Sequence, residues 1–380
     1  MSLLLDTSIG CLVGAAVGDA LGGATETALP DEIRARFGGW VEGIAPPFHA
    51  DWATARPLAP YHKGDGHITD DTLMTHALVR AYAAKRDHLD AYDVAGLLVP
   101  DLLERVVHIP DLERDSLVFQ RLAAAERWLV TRLHHAHADP REAGVGNIVN
   151  CGAAMYMAPV GIVNAGDPAG AYAEAAEMTG AHQHSYGREA AAVFAASVAA
   201  AASPGATVED VVVAARELAR DGTGAAIAAV VGASRGLDDW RDAIPVLRNA
   251  IAPYDTVGED YRNPGLGARR PSRLHAIEEL PIALGMLVVG HGEFRPSVLG
   301  SVNYGRDADS IATMAGAIAG ALGGRGAVPG EWAATVAEAS RTDLEEPARV
   351  LAAVAAEVFD RDRERFARRA DRFAKLAGAT

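Results

Sequence analysis

The chain has 380 residues, 49% hydrophobic and 22% charged, which is ample apolar material for a buried core. Its formal net charge of −15 argues against nonspecific nucleic-acid binding, which needs basic surface. Only two cysteines, Cys11 and Cys151, are present, so a disulfide framework is excluded and a reducing compartment is the simpler expectation.

Helical patterning dominates: alanine is abundant and β-branched alternation is scarce. Helix starts are expected near Ile9, Asp31, Asp70, Ala91, Leu117, Gly152, Ala169, Gly187, Val208, Asp239, Glu278, Asp307, Gly330 and Glu346. The apolar stretch from Ile9 to Val17 lacks a basic leader, with Asp6 where positive charge belongs, so it does not read as a signal peptide. The longest apolar run, Ala190 to Ala202, is too short to span a bilayer and ends at Ser203-Pro204. A cytoplasmic protein without a membrane partner is expected. Gly10, Gly14, Gly18 and Gly22 recur every four residues, which on a soluble helix permits close backbone packing. Asp19 lies among them and Glu26 follows seven residues later.

Gly38 to His67 is rich in Gly and Pro and runs into Thr69-Asp70-Asp71-Thr72. That cluster opens a helix-periodic run of Leu73, Met74, Ala77, Leu78, Ala81 and Tyr82. His134, His135 and His137 belong at an exposed helix end, beside Asp139-Pro140. Asn150 to Met155 is a small-residue segment that suits either tight helix packing or a phosphate at a helix N-terminus. His182 and His184 lack a third ligand at zinc spacing, and lining a ligand pocket suits His182 better. Pro253 to Ser272 is a second irregular stretch, and both irregular stretches read as rims or lids of one site. Gly305-Arg306-Asp307-Ala308-Asp309-Ser310 then opens a second periodic run, Ile311, Met314, Ala315, Ile318, Ala319 and Leu322. The long terminal helix, Pro347 to Leu376, carries the charge run Asp360 to Arg365, which reads as a solvated face.

The two acidic clusters carry the chemistry. Each could be a helix cap and no more, because Asp, Thr and Ser cap helices and suit the dipole. Capping needs one such residue, not three in a row. If the fold brings the clusters together, four carboxylates repel one another unless cations sit among them. Oxygen donors without His or Cys favour Mg²⁺, Mn²⁺ or Ca²⁺ over zinc.

Taken together, the motifs resemble those of the ADP-ribosylglycohydrolase family, of the dinitrogenase-reductase-activating glycohydrolase type. Gly18-Asp19-Ala20-Leu21-Gly22 with Glu26 is similar to its first motif and Thr69-Asp70-Asp71-Thr72 to its central one. Asn303 to Ser310, followed by Gly316 and Gly320, is similar to its C-terminal motif, so the resemblance spans roughly residues 8 to 325. It implies an all-α fold, a single compact multi-helix domain over 1–380 around a central cleft, with residues 330–378 as a C-terminal helical extension. It also implies two Mg²⁺ or Mn²⁺ ions held by Thr69, Asp70, Asp71, Asp307, Asp309 and Ser310. Glu26 would gate the cleft or act in catalysis with Asp309. Cys151, Gly152, Ala153 and Met155 would meet the diphosphate and ribose, with His182, Tyr304, Gly305 and Arg306 completing the substrate pocket.

The implied activity is hydrolysis of a glycosidic bond at the ribose C1″ of an ADP-ribosyl group, on a protein or a small molecule. Two alternatives remain open: a hydrolase of a small ribosylated metabolite or nucleoside, and a non-catalytic ADP-ribose binder. The chain departs from the family pattern at Ser310, Arg306, Tyr156 and Gly180, positions usually held by Thr, Gly, Arg and His. The metal motifs match better than the substrate pocket.

Overall fold

The computed structural model describes residues 1–48, 63–109, 114–261 and 273–378. Helices α1 (Leu3–Gly22), α2 (Pro30–Phe37), α3 (Asp70–Lys85) and α4 (Val99–Glu104) lead to an antiparallel hairpin, β1 (Val106–Ile109) and β2 (Arg114–Leu117). Next come α5 (Ala124–Val130), α6 (Ala158–Val163), α7 (Pro168–Met178), α8 (Ser185–Ala201), α9 (Val208–Leu218), α10 (Asp221–Ser234) and α11 (Trp240–Ile251). The chain ends with α12 (Glu279–Val289), α13 (Phe294–Tyr304), α14 (Ala308–Gly323), α15 (Gly330–Ser340) and α16 (Glu346–Leu376). The fold is all-α, and the hairpin is the only sheet among the described residues.

At the centre, α1 and α14 run antiparallel in the most extensive helix pairing of the molecule. A Cβ added at Gly10 would lie 2.1 Å from the Gly320 carbonyl oxygen, and one at Gly14 would lie 2.4 Å from that of Gly316. The four-residue glycine spacing therefore serves backbone-to-backbone contact, as expected. Helix α1 is the one described helix long and apolar enough to cross a membrane, yet it is buried here from Thr7 to Gly22. Helices α3, α8, α12, α13 and α16 surround the pair.

Three local differences from the sequence reading have physical causes. Helix α10 holds Gly222, Gly224 and Gly232, and α13 holds Pro296 and Gly300, so weak propensity hid both. Near Gly152 the chain first makes a single 3₁₀ turn, Cys151–Ala153, capped by Asn150, and α6 starts only at Ala158. The start expected near Leu117 is the end of β2, and the α-helix begins at Ala124. His134, His135 and His137 are exposed, as is most of the charge run in α16, where Arg363 pairs with Asp360 and Arg365 with Asp362. Parts of both irregular stretches, 49–62 and 262–272, lie outside the described residues.

Candidate active site

Helix packing sets the site. The α1–α14 contact places Gly22 against Ala308, so the C-terminal turns of α1 lie beside the start of α14. There the Thr27 amide donates to the Arg306 carbonyl at 2.7 Å, and the Arg306 amide to the Ala28 carbonyl at 2.8 Å. This clasp needs a sharp turn. Gly305 adopts φ +71°, and a Cβ on it would lie 2.1 Å from the Ala28 oxygen. Glu26 is thereby held next to Asp307 and Asp309.

Asp19, wholly buried in α1, brings in the other cluster. It accepts hydrogen bonds from the Thr69 amide (2.9 Å), the Thr69 hydroxyl (2.6 Å), the Thr72 amide (3.1 Å) and the Thr72 hydroxyl. One carboxylate thus ties the first turn of α3 to α1. Thr69 in turn caps α3 by accepting from the Asp71 amide. Carboxylate oxygens of Asp19, Asp71 and Asp309 lie within 4.8 Å of one another, as do those of Glu26, Asp307 and Asp309. The two clusters, far apart in the chain, form one acidic centre.

Its electrostatics are one-sided. Burial, and then the charge of Asp309, push Asp71 and Asp307 well above the usual carboxylate range. Burial also raises Asp70, and it raises Asp19 to about 7 despite the hydroxyls that pull it down. Asp309 alone falls: burial works against its charge, but the Lys63 ammonium outweighs it. Lys63 Nζ is 2.6 Å from Asp309 Oδ2 and also pairs with Glu26. Asp71 Oδ1 is buried with no hydrogen-bond partner. An orphaned carboxylate oxygen inside an excess of buried acid, with oxygen donors throughout, fits a divalent cation centre.

Cys151 also enters this centre. Its thiol donates to Asp307 Oδ2 at 2.8 Å and sits 3.2 Å from the Ser310 hydroxyl. Gly152 faces Glu126, whose Oε1 would lie 2.6 Å from an added Cβ, while Ala153 and Met155 are buried behind it. His182 is fully buried. Its Nδ1 is 3.0 Å from the Tyr156 hydroxyl and its Nε2 is 3.6 Å from Glu126, and burial lowers it to about 4. Tyr304 and Arg306 turn the other way. Both reach Glu278, and Arg306 also pairs with Asp255 and lies over the Tyr261 ring.

Among the expected residues, the structure therefore gathers Glu26, Asp70, Asp71, Asp307, Asp309, Ser310 and Cys151, with Thr69 behind them. It buries His182 beside Glu126, behind the Gly152 turn, and turns Tyr304 and Arg306 away toward Glu278. Residues absent from the sequence reading join in: Lys63, Glu126, Glu279 and, as a ligand-spaced carboxylate, Asp19. An acid deep inside apolar α1, well past the first turn that holds Asp6, was a signal for Asp19. Lys63 and Glu126 left none.

The ADP-ribosylglycohydrolase family model matches residues 2–365. The chain belongs to the ADP-ribosylglycohydrolase family. No curated protein matches it. Among solved structures, it is similar to an "ADP-ribosylglycohydrolase-related protein complex", at 21% identity and a TM-score of 0.61 over 94% of this chain and 100% of that one. That likeness shows the shared fold. Members of the ADP-ribosylglycohydrolase family are hydrolases that act on ADP-ribosylated substrates and are generally metal-dependent.

Proposed function

We propose that the protein, working as one helical unit, removes ADP-ribose from a protein or small molecule by hydrolysing the bond at the ribose C1″. The observation that carries this reading is that Asp19, Asp71 and Asp309, and likewise Glu26, Asp307 and Asp309, bring carboxylate oxygens within 4.8 Å of one another, the two groups sharing Asp309, with an orphaned Asp71 oxygen among them. Two Mg²⁺ or Mn²⁺ ions would be held by Thr69, Asp70, Asp71, Asp307, Asp309 and Ser310. When bound, they supply Lewis acidity toward ribose hydroxyls and water.

The chain's own groups do the rest. Cleavage at C1″ builds positive charge on the sugar, and the acidic centre stabilises it. Glu26, with a side chain 15% exposed at the edge of the centre, can accept a proton from water at its carboxylate. Lys63 orients that carboxylate against Asp309. Asp19 holds the Thr69–Thr72 turn in place. The turn from Cys151 to Met155 packs alongside as the diphosphate- and ribose-facing wall.

A second reading is favoured by Tyr156. Many relatives carry an arginine after the methionine of this motif. Here Tyr156 is buried and bonded to His182, so this segment presents no cation to a diphosphate. A smaller ribosylated substrate would suit that wall. Turnover of ADP-ribosyl-arginine, ADP-ribosyl-serine, O-acetyl-ADP-ribose and free nucleosides, each with Mg²⁺ and with excess chelator, tests both. Cleavage of an ADP-ribosyl compound only with Mg²⁺ is expected. Cleavage of nucleosides alone would favour the second reading. Full activity in chelator would overturn the metal assignment, and ADP-ribose binding without turnover would make the protein a binder.

A further inference from the structure

Beside the oxygen cluster lies a second donor group of different chemistry. It combines Cys151 from the 3₁₀ turn, Glu279 from the first position of α12, and Asp307 from the residue before α14. One donor atom from each lies within 4.8 Å of the others. The Cys151 sulfur is 2.8 Å from Asp307 Oδ2, and Cys151 is 3% exposed.

Glu279 makes this more than a buried thiol next to an acid. It is 4% exposed, and among the described residues nothing donates a hydrogen bond to its carboxylate and no cation pairs with it. Its neighbour Glu278 shows the contrast. That carboxylate receives Arg306 at 2.6 and 2.7 Å, Tyr304 at 3.0 Å and Arg248 at 3.4 Å. Two adjacent buried glutamates thus face opposite ways, one saturated and one bare. Neither Glu279 oxygen is among the fully enclosed unpartnered atoms, so this carboxylate keeps a path to solvent and stands open to a ligand beside the Cys151 thiol. Neither Cys151 nor Glu279 belongs to the hard-oxygen set assigned above to Mg²⁺.

We infer that Cys151, Glu279 and Asp307 bind a thiophilic divalent cation such as Zn²⁺, at a site separate from the magnesium ligands except for the shared Asp307. One sulfur and two carboxylates suit zinc, cadmium or cobalt, since thiolate selects softer ions than oxygen donors do. On binding, a sulfur–metal bond forms, the thiol proton leaves to solvent, and no oxidation state changes. Asp307 cannot serve both ions fully. Resting on the hydrolase reading, Zn²⁺ is therefore an inhibitor of Mg²⁺-dependent turnover.

The test is a Co²⁺ titration of the full chain freed of Mg²⁺, followed by absorbance. A stoichiometric near-ultraviolet thiolate-to-cobalt charge-transfer band is expected. It should vanish in Cys151→Ser and persist in Cys11→Ser. Glu279→Gln, which keeps the thiol, should weaken cobalt affinity by at least the roughly 10- to 100-fold that loss of an outer-shell partner costs. Thermal melts of both variants confirm folding. No band in the wild type, a band surviving in Cys151→Ser, or unchanged affinity in Glu279→Gln would overturn the site. Turnover with Mg²⁺ alone, measured without cobalt, tests the hydrolase reading separately, so either can fail without the other.

Discussion

Two buried ionic clusters flank the short segment Gly305-Arg306-Asp307, and they are built on opposite principles. On one side Arg306 and Arg248 meet Glu278 and Asp255, two cations against two anions, with distances of 2.6 to 3.4 Å. On the other, Asp19, Asp70, Asp71, Asp307, Asp309 and Glu26 outnumber their counter-charges among the described residues: Lys63 pairs with Glu26 and Asp309 and, with Arg121, acts on Asp70. Arg306 and Asp307 are neighbours in sequence, yet their side chains enter different clusters. The positive φ values at Gly305 (+71°) and Arg306 (+59°) turn the chain so that this is possible. A balanced cluster is complete within the protein and holds the fold together. An acid-rich one is incomplete, and the proposed cations would supply its missing charge.

The largest effect should come from emptying the acid-rich cluster. Asp307→Ala and Asp70→Ala should each take turnover to background while the protein stays folded, because neither side chain caps its helix: Thr69 caps α3, and Asp307 makes no cap hydrogen bond to α14. Initial rates with Mg²⁺ and circular dichroism check this. Near-normal rates in either variant would show the ligand assignment to be wrong.

Glu26→Gln keeps the shape and removes the base. Single-turnover rates should drop by about 10²- to 10⁴-fold with metal affinity nearly unchanged. If Glu26 gates the cleft instead, ligand on- and off-rates will move more than the chemical step. If none of these moves, Glu26 lies outside the mechanism.

In the balanced cluster the penalty should fall on stability. Arg306→Ala leaves Glu278 and Asp255 with Arg248 as their one remaining guanidinium and should cost up to about 3–5 kcal/mol in urea unfolding. A loss under about 1 kcal/mol would remove the contrast between the two clusters.

The cation-free protein should also respond to pH with a defined sign. Asp19, Asp70, Asp71 and Asp307 all have raised values in the fold, so the folded state holds protons that the unfolded chain has released. Stability should therefore fall as pH rises from the ordinary aspartate value of 3.8 through the Asp19 value of about 7. The slope is at most about 1.4 kcal/mol per pH unit for each group. Mg²⁺ should reduce the decline, leaving the part that comes from Glu126 and Glu278, which burial raises to about 8 and about 7 away from the proposed ligands. Melting temperatures across this range, with and without Mg²⁺, would contradict the picture if both profiles were flat.

The smallest expected effect is at Lys63. Its ammonium competes with an added cation for Asp309 and Glu26. Lys63→Met should tighten Mg²⁺ or Mn²⁺ binding by about tenfold, equal to ~1.4 kcal/mol, in isothermal titration calorimetry. Weaker binding would mean that Lys63 builds the site rather than guards it.

Much of this was legible in the sequence, for identifiable reasons. The dominance of helix followed from abundant alanine and apolar periodicity, the all-α fold from the motif resemblance, and the starts of α3 and α14 from acidic and hydroxyl residues followed by helix-periodic runs. The metal-type cluster was legible because three acidic or hydroxyl residues in succession exceed what capping needs. The glycine spacing in α1 announced a close helix contact, although its partner could not be named until Gly316 and Gly320 were seen to face it.

Side-chain direction was another matter. Tyr304, Gly305, Arg306 and Asp307 stand consecutively in one motif, and the linear order gives no hint that Tyr304 and Arg306 leave for Glu278 while Asp307 faces Asp309. His182 was expected in a pocket and lies in the core because Tyr156, distant in sequence, bonds it there. Lys63 and Glu279 belong to no motif, and only the packing of distant elements makes them neighbours of Asp309 and Cys151. Local spacing in the chain determined which residues start helices and which carry ligand chemistry, because caps and periodicity are short-range effects. Which of those residues share one buried, uncompensated field was decided by the α1–α14 contact and the turn at Gly305, because burial and charge balance are properties of the assembled fold.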